Sequence, residues 1–214
     1  MNKSSFILHL LFSLFMLSNT SCLSIAKDVK SWIEVSDMED VQGKYHFLTE
    51  DQIKIYLPLS FKKYSRAGYE KLLDSLASKK DYKLELQRLE LLRAMEGNFH
   101  IFFDEGTRST YTINTIPFMP MQKGDAQYLL GVISMNNEKT SRTTDLNFTK
   151  ITAKFNSNST TQVFKAIHKI ENTKKQSTSF NSSYIVSANN KTIYIQLLTG
   201  FDVNFDPFLQ KTIL

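Results

Sequence analysis

Apolar and polar residues alternate with period two along 52–58, and the same period returns at 98–104, where Phe99, Ile101 and Phe103 take every second place. Alternation of this kind predicts half-buried strands. Lys44 to Leu48 reads as a further short strand, and Pro58 stops the 52–58 strand because it cannot donate to a ladder. Between the strands the period lengthens. Tyr69, Leu72, Leu73 and Leu76 recur at helical spacing over 66–80, and Leu84, Leu86, Leu89, Leu92 and Met95 do so over 82–96. Gly97 follows as a stop, so the two segments predict a helical hairpin. The strand 109–118 carries Tyr111, Ile113 and Ile116, and Glu105-Gly106-Thr107 before it is a hairpin-turn signal. A helix is expected over 125–137, with Tyr128, Leu129, Val132, Ile133 and Met135 on its inner face. From Asp145 onward the chain reads as a meander of strands at 146–155, 161–170, 180–188 and 192–198. Asparagine-rich turns at 156–159 and 189–190 separate some of them. A short last helix is expected, with Asp206 as N-cap, Pro207 at its first position, and Phe208, Leu209 and Ile213 inward. This order predicts an α+β fold: an antiparallel β-sheet flanked by helices, an α-β-α sandwich. A parallel nucleotide-binding sheet would need regular strand–helix alternation and a glycine-rich turn, and neither occurs.

The first 26 residues follow another pattern. Lys3 gives a positive start, an apolar run spans Phe6 to Leu17, and Ser18-Asn19-Thr20-Ser21 leads to Cys22. That is the layout of a secretory signal. The run is too short to anchor stably, since a spanning helix needs about 20 apolar residues. Two cleavages are open. Ser21-Cys22 can end a lipobox, with Cys22 acylated as the mature N-terminus, although Asn19 stands where an aliphatic residue is usual. Alternatively, Ser24-Ile25-Ala26 offers a small-x-small site, and the chain is cut after Ala26. Cys22 is the sole cysteine, so no intramolecular disulfide can form. The expected organisation is a signal at 1–26, a polar tether at 27–43 and a single domain at 44–214.

Composition narrows this further. The chain has 214 residues, with 16 Phe and 9 Tyr against only 7 Gly and 4 Pro, which suits a packed core rather than a linker. The net charge of +5 is mild, and the basic residues are scattered. Nucleic-acid binding wants a basic stripe with stacking aromatics, so no nucleic-acid partner is expected.

Candidate chemistry is sparse. There is no Gly-x-Ser-x-Gly elbow and no phosphate loop. His46, His100 and His168 lack metal-ligand spacing. His100 and Asp104 fall on one strand face, where a carboxylate and imidazole could act as an acid–base pair or zinc fragment. A solvated strand face explains them more simply, and His168 reads as a core or edge histidine. Asp202, Asn204 and Asp206 alternate like calcium ligands but lack the glycine and closing glutamate of a calcium loop. Glu34, Asp37, Glu39 and Asp40 make an acidic patch in the tether. Asn147, Asn158, Asn181 and Asn190 stand in Asn-x-Ser/Thr triplets, which accept glycans only in a eukaryotic secretory route.

The closing segment, from Lys191-Thr192-Ile193-Tyr194-Ile195-Gln196-Leu197-Leu198-Thr199-Gly200 to Phe205-Asp206-Pro207-Phe208-Leu209-Gln210-Lys211, resembles the end of PsbP-like domains. The early strand ending at Leu57-Pro58, the mid-chain helix and the four-strand meander also fit that layout, which is shared with a yeast Ran-binding protein and bacterial exported lipoproteins. The resemblance implies a non-enzymatic role in binding or assembly and transfers no catalytic residue, cofactor or metal. The expectation is therefore an exported accessory protein of a bacterial cell envelope, bound to the membrane through lipid on Cys22 and to an envelope protein partner. One alternative is a small extracytoplasmic hydrolase or metal-dependent enzyme using His100, Asp104 or His168. Another is a carrier of an apolar ligand, which would need a dry cavity lined by Phe and Tyr.

Overall fold

Two short strands, β1 (Lys44–Leu48) and β2 (Ile53–Leu57), pair antiparallel as a separate hairpin outside the main sheet. The computed structural model describes residues 41–76 and 79–214, and one unit runs Val41–Leu214. The expected signal, Cys22, most of the expected tether and its acidic patch lie outside the described residues. After the hairpin come β3 (Lys62–Tyr64), α1 (Arg66–Leu76), α2 (Lys79–Arg93), β4 (Asn98–Asp104) and β5 (Ser109–Ile116). The chain continues through α3 (Lys123–Thr143), β6 (Leu146–Ser157), β7 (Thr161–Asn172), β8 (Ser177–Ala188), β9 (Lys191–Thr199) and α4 (Asp206–Gln210). Seven strands form one antiparallel sheet in the order β3-β4-β5-β9-β8-β7-β6. The antiparallel sheet flanked by helices is therefore as expected.

Alternation along each strand sorts the side chains onto two faces. Phe99, Ile101 and Phe103 meet Tyr69 and Leu73 of α1 and Leu89 of α2 in one core cluster. On the same face Phe164, Ala166 and Ile185 pack against Met121 and Ala126 at the start of α3. Burying a Leu or Ile side chain contributes about 1.5–3 kcal/mol, so these clusters hold the helical layer. His100, Phe102, Tyr111, Ile195, Leu197 and Tyr184 share the opposite face by register. There the β1–β2 hairpin and α4 cover them.

Most differences from the sequence reading lie at element ends, but Tyr128 and Met135, expected on the inner face of α3, are exposed. β3 has three residues, too few to show a period, and exists because it pairs with β4. The first helix ends at Leu76 rather than 80, and the second begins at Lys79, with Asp81 in its first turn where a carboxylate favours the helix dipole. α3 runs past its last apolar position to Thr143, because Thr140, Thr143 and Thr144 return hydroxyl bonds to carbonyls one turn back. Arg142 and Glu138 also pair at i,i+4. The N-cap of α4 is Phe205, and Asp206 is the first helical residue, freed for another partner. Ile213 is half exposed; its backbone exchanges hydrogen bonds with Lys54 (2.9 and 2.8 Å). Gly97 is required where it stands: its φ is +101°, and a Cβ there would lie 1.7 Å from the Thr115 carbonyl oxygen.

Candidate functional site

The sheet face beneath the hairpin carries two buried polar clasps. In the first, Asp51 sits on the β1–β2 turn, which Gln52 closes with φ 55°. His100 Nε2 lies 2.8 Å from one Asp51 oxygen, and the other accepts from Asn98 Nδ2 (2.7 Å) and Thr115 Oγ1 (2.6 Å). Burial works against the Asp51 charge, but Thr115, Asn98 and His100 outweigh it and hold the carboxyl below its ordinary range. In the second, Lys165 on β7 reaches both oxygens of Asp206 at 2.7 and 2.6 Å, and the Tyr184 hydroxyl donates to Asp206 at 3.3 Å. The side chains of Lys165 and Asp206 are only 10% and 14% exposed. This pair fixes α4 to the sheet.

On the helical face a third network joins α2 to the strands. Arg88 donates twice to Glu85 (2.7 and 2.6 Å) and once to Gln196 (2.8 Å). The Tyr69 hydroxyl donates to Glu85 (3.1 Å) and lies 2.8 Å from the Thr110 hydroxyl. Burial pushes the Tyr69 hydroxyl well above its ordinary range.

These partnerships correct the expected chemistry. His100 and Asp104 share a face but do not meet; they stand four positions apart along the strand, about 13 Å. His100 is taken by Asp51. Asp104 accepts from Ser60 Oγ (2.9 Å), Gly106 N (2.9 Å) and Thr107 Oγ1 (2.8 Å), and so shapes the β4–β5 turn. His168 lies on the opposite face, so the three never converge on one site. The calcium reading fails for a similar reason: Asp206 turns to Lys165, and the Asn204 side chain accepts from the Asp206 backbone (3.2 Å). Among the described residues no group of three His, Cys, Asp or Glu is placed to hold a metal ion. The carrier reading wanted a cavity lined by Phe and Tyr. A cleft of about 350 Å³ is lined by residues such as Asp81, Leu84, Thr144, Asn172 and Lys174 and is not such a cavity. No described helix is long and apolar enough to cross a membrane.

The aromatic residues form a row from solvent into the sheet. Tyr45 and Phe47 point outward from β1, 51% and 53% exposed. Tyr45 meets Tyr56 edge-on, with centroids 4.9 Å apart; Tyr56 stacks on Phe208 at 6.1 Å, and Phe208 on Phe205 at 4.9 Å. Phe205 then packs on the buried Tyr111 at 5.7 Å. Lysines accompany the row: Lys54 Nζ lies 6.0 Å from the Phe47 centroid, and Lys211 Nζ lies 4.8 Å from that of Tyr56. Sequence reasoning missed this face because Tyr45 and Phe47 alternate as a core strand would. It also missed Lys165, although a lysine inside Val163-Phe164-Lys165-Ala166-Ile167 is a legible signal, because a buried charge demands a partner.

Among solved structures, the chain aligns over 80% of its length with 92% of the solution structure of cyanobacterial PsbP (CyanoP) from Synechocystis sp. PCC 6803. The TM-score is 0.52 and the sequence identity 13%. The fold is PsbP-like. At that identity the likeness speaks to the PsbP-like architecture alone. The crystal structure of the Saccharomyces cerevisiae Ran-binding protein Mog1p aligns with 76% of this chain and 79% of its own, at TM-score 0.42 and 9% identity, and adds nothing to the assignment. No protein-family model matches the chain, and no curated protein matches it in sequence. Within the PsbP-like fold, the β1–β2 hairpin and α4 together cover one sheet face and present the aromatic row outward.

Two histidines give this domain an acid-side dependence. Burial, then Lys44 and Lys63, lowers the pKa of His46, whose Nε2 is buried without a hydrogen-bond partner. Burial, then Lys150, lowers that of His168. Below the unfolded value of 6.5 the unfolded chain takes up protons that the folded chain resists. Stability is therefore full above pH 6.5 and falls as pH drops toward the folded-state values. The urea midpoint is expected to decline from about pH 6.5 to 5, and His46→Gln with His168→Gln to flatten that decline. A midpoint unchanged over this range in the parent chain would show that neither ring is protected.

Proposed function

We propose that this protein is a non-enzymatic binding or accessory module, exported and anchored in a cell envelope by lipid on Cys22. The observation that carries the reading is the outward aromatic row. Tyr45 and Phe47 hold half their surface in water next to Lys54, on a hairpin that the Asp51 clasp ties to the sheet. Exposed aromatics beside cations suit protein recognition, where Tyr and Phe supply area at small entropic loss. His100, Asp51, Asp104 and Asp206 are engaged in clasps and turns, which favours a scaffold over a reaction centre. The first 26 residues support export, and the place of Cys22 behind the apolar run supports acylation.

Two measurements test this. Crosslinked pulldown from intact envelopes is expected to recover the same partner protein repeatedly, and recovery of none removes the binding reading. Intact mass of the mature chain is expected to give an acylated start at Cys22. A start at Lys27 without lipid removes the anchor and leaves the binding reading standing.

A further inference from the structure

Sheets protect their edges, and the two edges of the seven-stranded sheet show how. β3 has only three residues. β6 carries Lys150 and Lys154 and is bulged at Ile151, where the register with β7 shifts. Short length, lysines and bulges all discourage pairing with another chain. β1 differs. Among the described residues it pairs only with β2, its five residues hold register without a bulge, and its exposed side chains include two large aromatics.

Charge distinguishes the same edge. Neither Lys44–Leu48 nor Ile53–Leu57 contains an acid, and Lys44 and Lys54 are both exposed. Of the turn acids, Asp51 is bound to His100, Asn98 and Thr115, so Glu50 alone projects from the hairpin end. Lys44 and Lys63 are close enough to act together on His46. Among the described residues the hairpin is therefore positive, and β1 has one side that pairs with no strand.

We propose that the edge of β1 accepts an acidic, extended polypeptide segment as an added strand. Its backbone would pair with β1, alternate apolar side chains would rest on Tyr45 and Phe47, and its carboxylates, on the other face, would lie near Lys44 and Lys63. Main-chain pairing supplies affinity in such strand addition, and the flanking side chains supply choice of sequence. An anionic membrane could also attract lysines and aromatics, but lipid offers no strand to pair with the edge. The inference rests on the binding-module reading and names the chemistry of its partner.

The test uses the full chain and labelled peptides of about ten residues, long enough to span a strand. One alternates Glu with Val, a second replaces each Glu by Lys, and a third carries Pro at alternate positions. Fluorescence anisotropy is expected to show the acidic peptide binding at least about tenfold tighter than the lysine peptide, with the preference shrinking in salt. The proline peptide is expected to lose binding, because it removes the backbone donors. Lys44→Glu is expected to weaken the acidic peptide severalfold, and Tyr45→Ser with Phe47→Ser to do the same, without change in circular dichroism. Equal binding of the three peptides, no binding of the acidic one, or capture by anionic vesicles that the acidic peptide does not reduce overturns the proposal. So does sedimentation showing that two copies of this chain pair through β1. A partner crosslinked equally by parent and Tyr45→Ser/Phe47→Ser chains removes this edge while keeping the binding reading. A parent chain that binds the acidic peptide yet crosslinks nothing does the reverse.

Discussion

Asp206→Ala is expected to lower the unfolding free energy by about 4 kcal/mol, read from the urea midpoint at constant slope. The substitution leaves the Lys165 ammonium, 10% exposed, with no carboxylate. Removing one member of a buried pair is far worse than removing both, because the remaining charge is neither hydrated nor compensated. Lys165→Met with Asp206→Leu should thus recover most of the loss. The effect reaches the surface as well. Asp206 ties down α4, whose Phe208 stacks on Tyr56 under the exposed Tyr45. The single variant should weaken peptide binding at β1 along with stability, whereas the double variant should restore both. A loss below about 1 kcal/mol for Asp206→Ala would mean that water, and not the pair, solvates Lys165.

Gly97→Ala is expected to cost about 3 kcal/mol, combining a positive φ with a collision that no rotamer relieves. The obstacle is the Thr115 backbone carbonyl, so the entry to β4 has to move away from β5. That movement draws Asn98 away from Thr115, and both donate to Asp51. Asp51→Ala alone should cost about 1–3 kcal/mol, since it leaves the partly buried His100 and Thr115 without their acceptor. The two substitutions share partners, so their sum should exceed the loss in the double variant by 0.5 kcal/mol or more. Strict additivity would show that the glycine and the clasp act separately. Unchanged stability of Gly97→Ala would show that the chain enters β4 by another backbone path.

Much of this was legible in the sequence, and the reason differs by element. The core strands declared themselves through Phe99, Ile101 and Phe103, and the helices through leucines at helical spacing, because burial on one face imposes a period. Element ends were less legible. The last two turns of α3 are polar, and threonine hydroxyls hold them, so the apolar period stops before the helix does. The closing helix was visible, but Asp206 was assigned to its cap when its actual partner, Lys165, lies 41 positions away. Likewise His100 and Asp104 read as a solvated strand face, whereas both side chains are largely buried, and the carboxylate that meets His100 comes from a turn 49 positions earlier.

By itself the sequence determined the α+β class, the antiparallel meander, the order of elements and the placement of the lone cysteine behind an export-like segment. Those follow from local periodicity and composition, which need no knowledge of distant contacts. Tertiary structure alone decided that β1 and β2 leave the main sheet and cover its face. It also decided which carboxylate meets which cation, and that Tyr45 and Phe47 look outward. Alternation marks two faces of a strand without saying which is buried. The identity of the buried face is settled only when the hairpin, clasped by Asp51, lies on Phe102 through His46, and Phe205 packs over Tyr111.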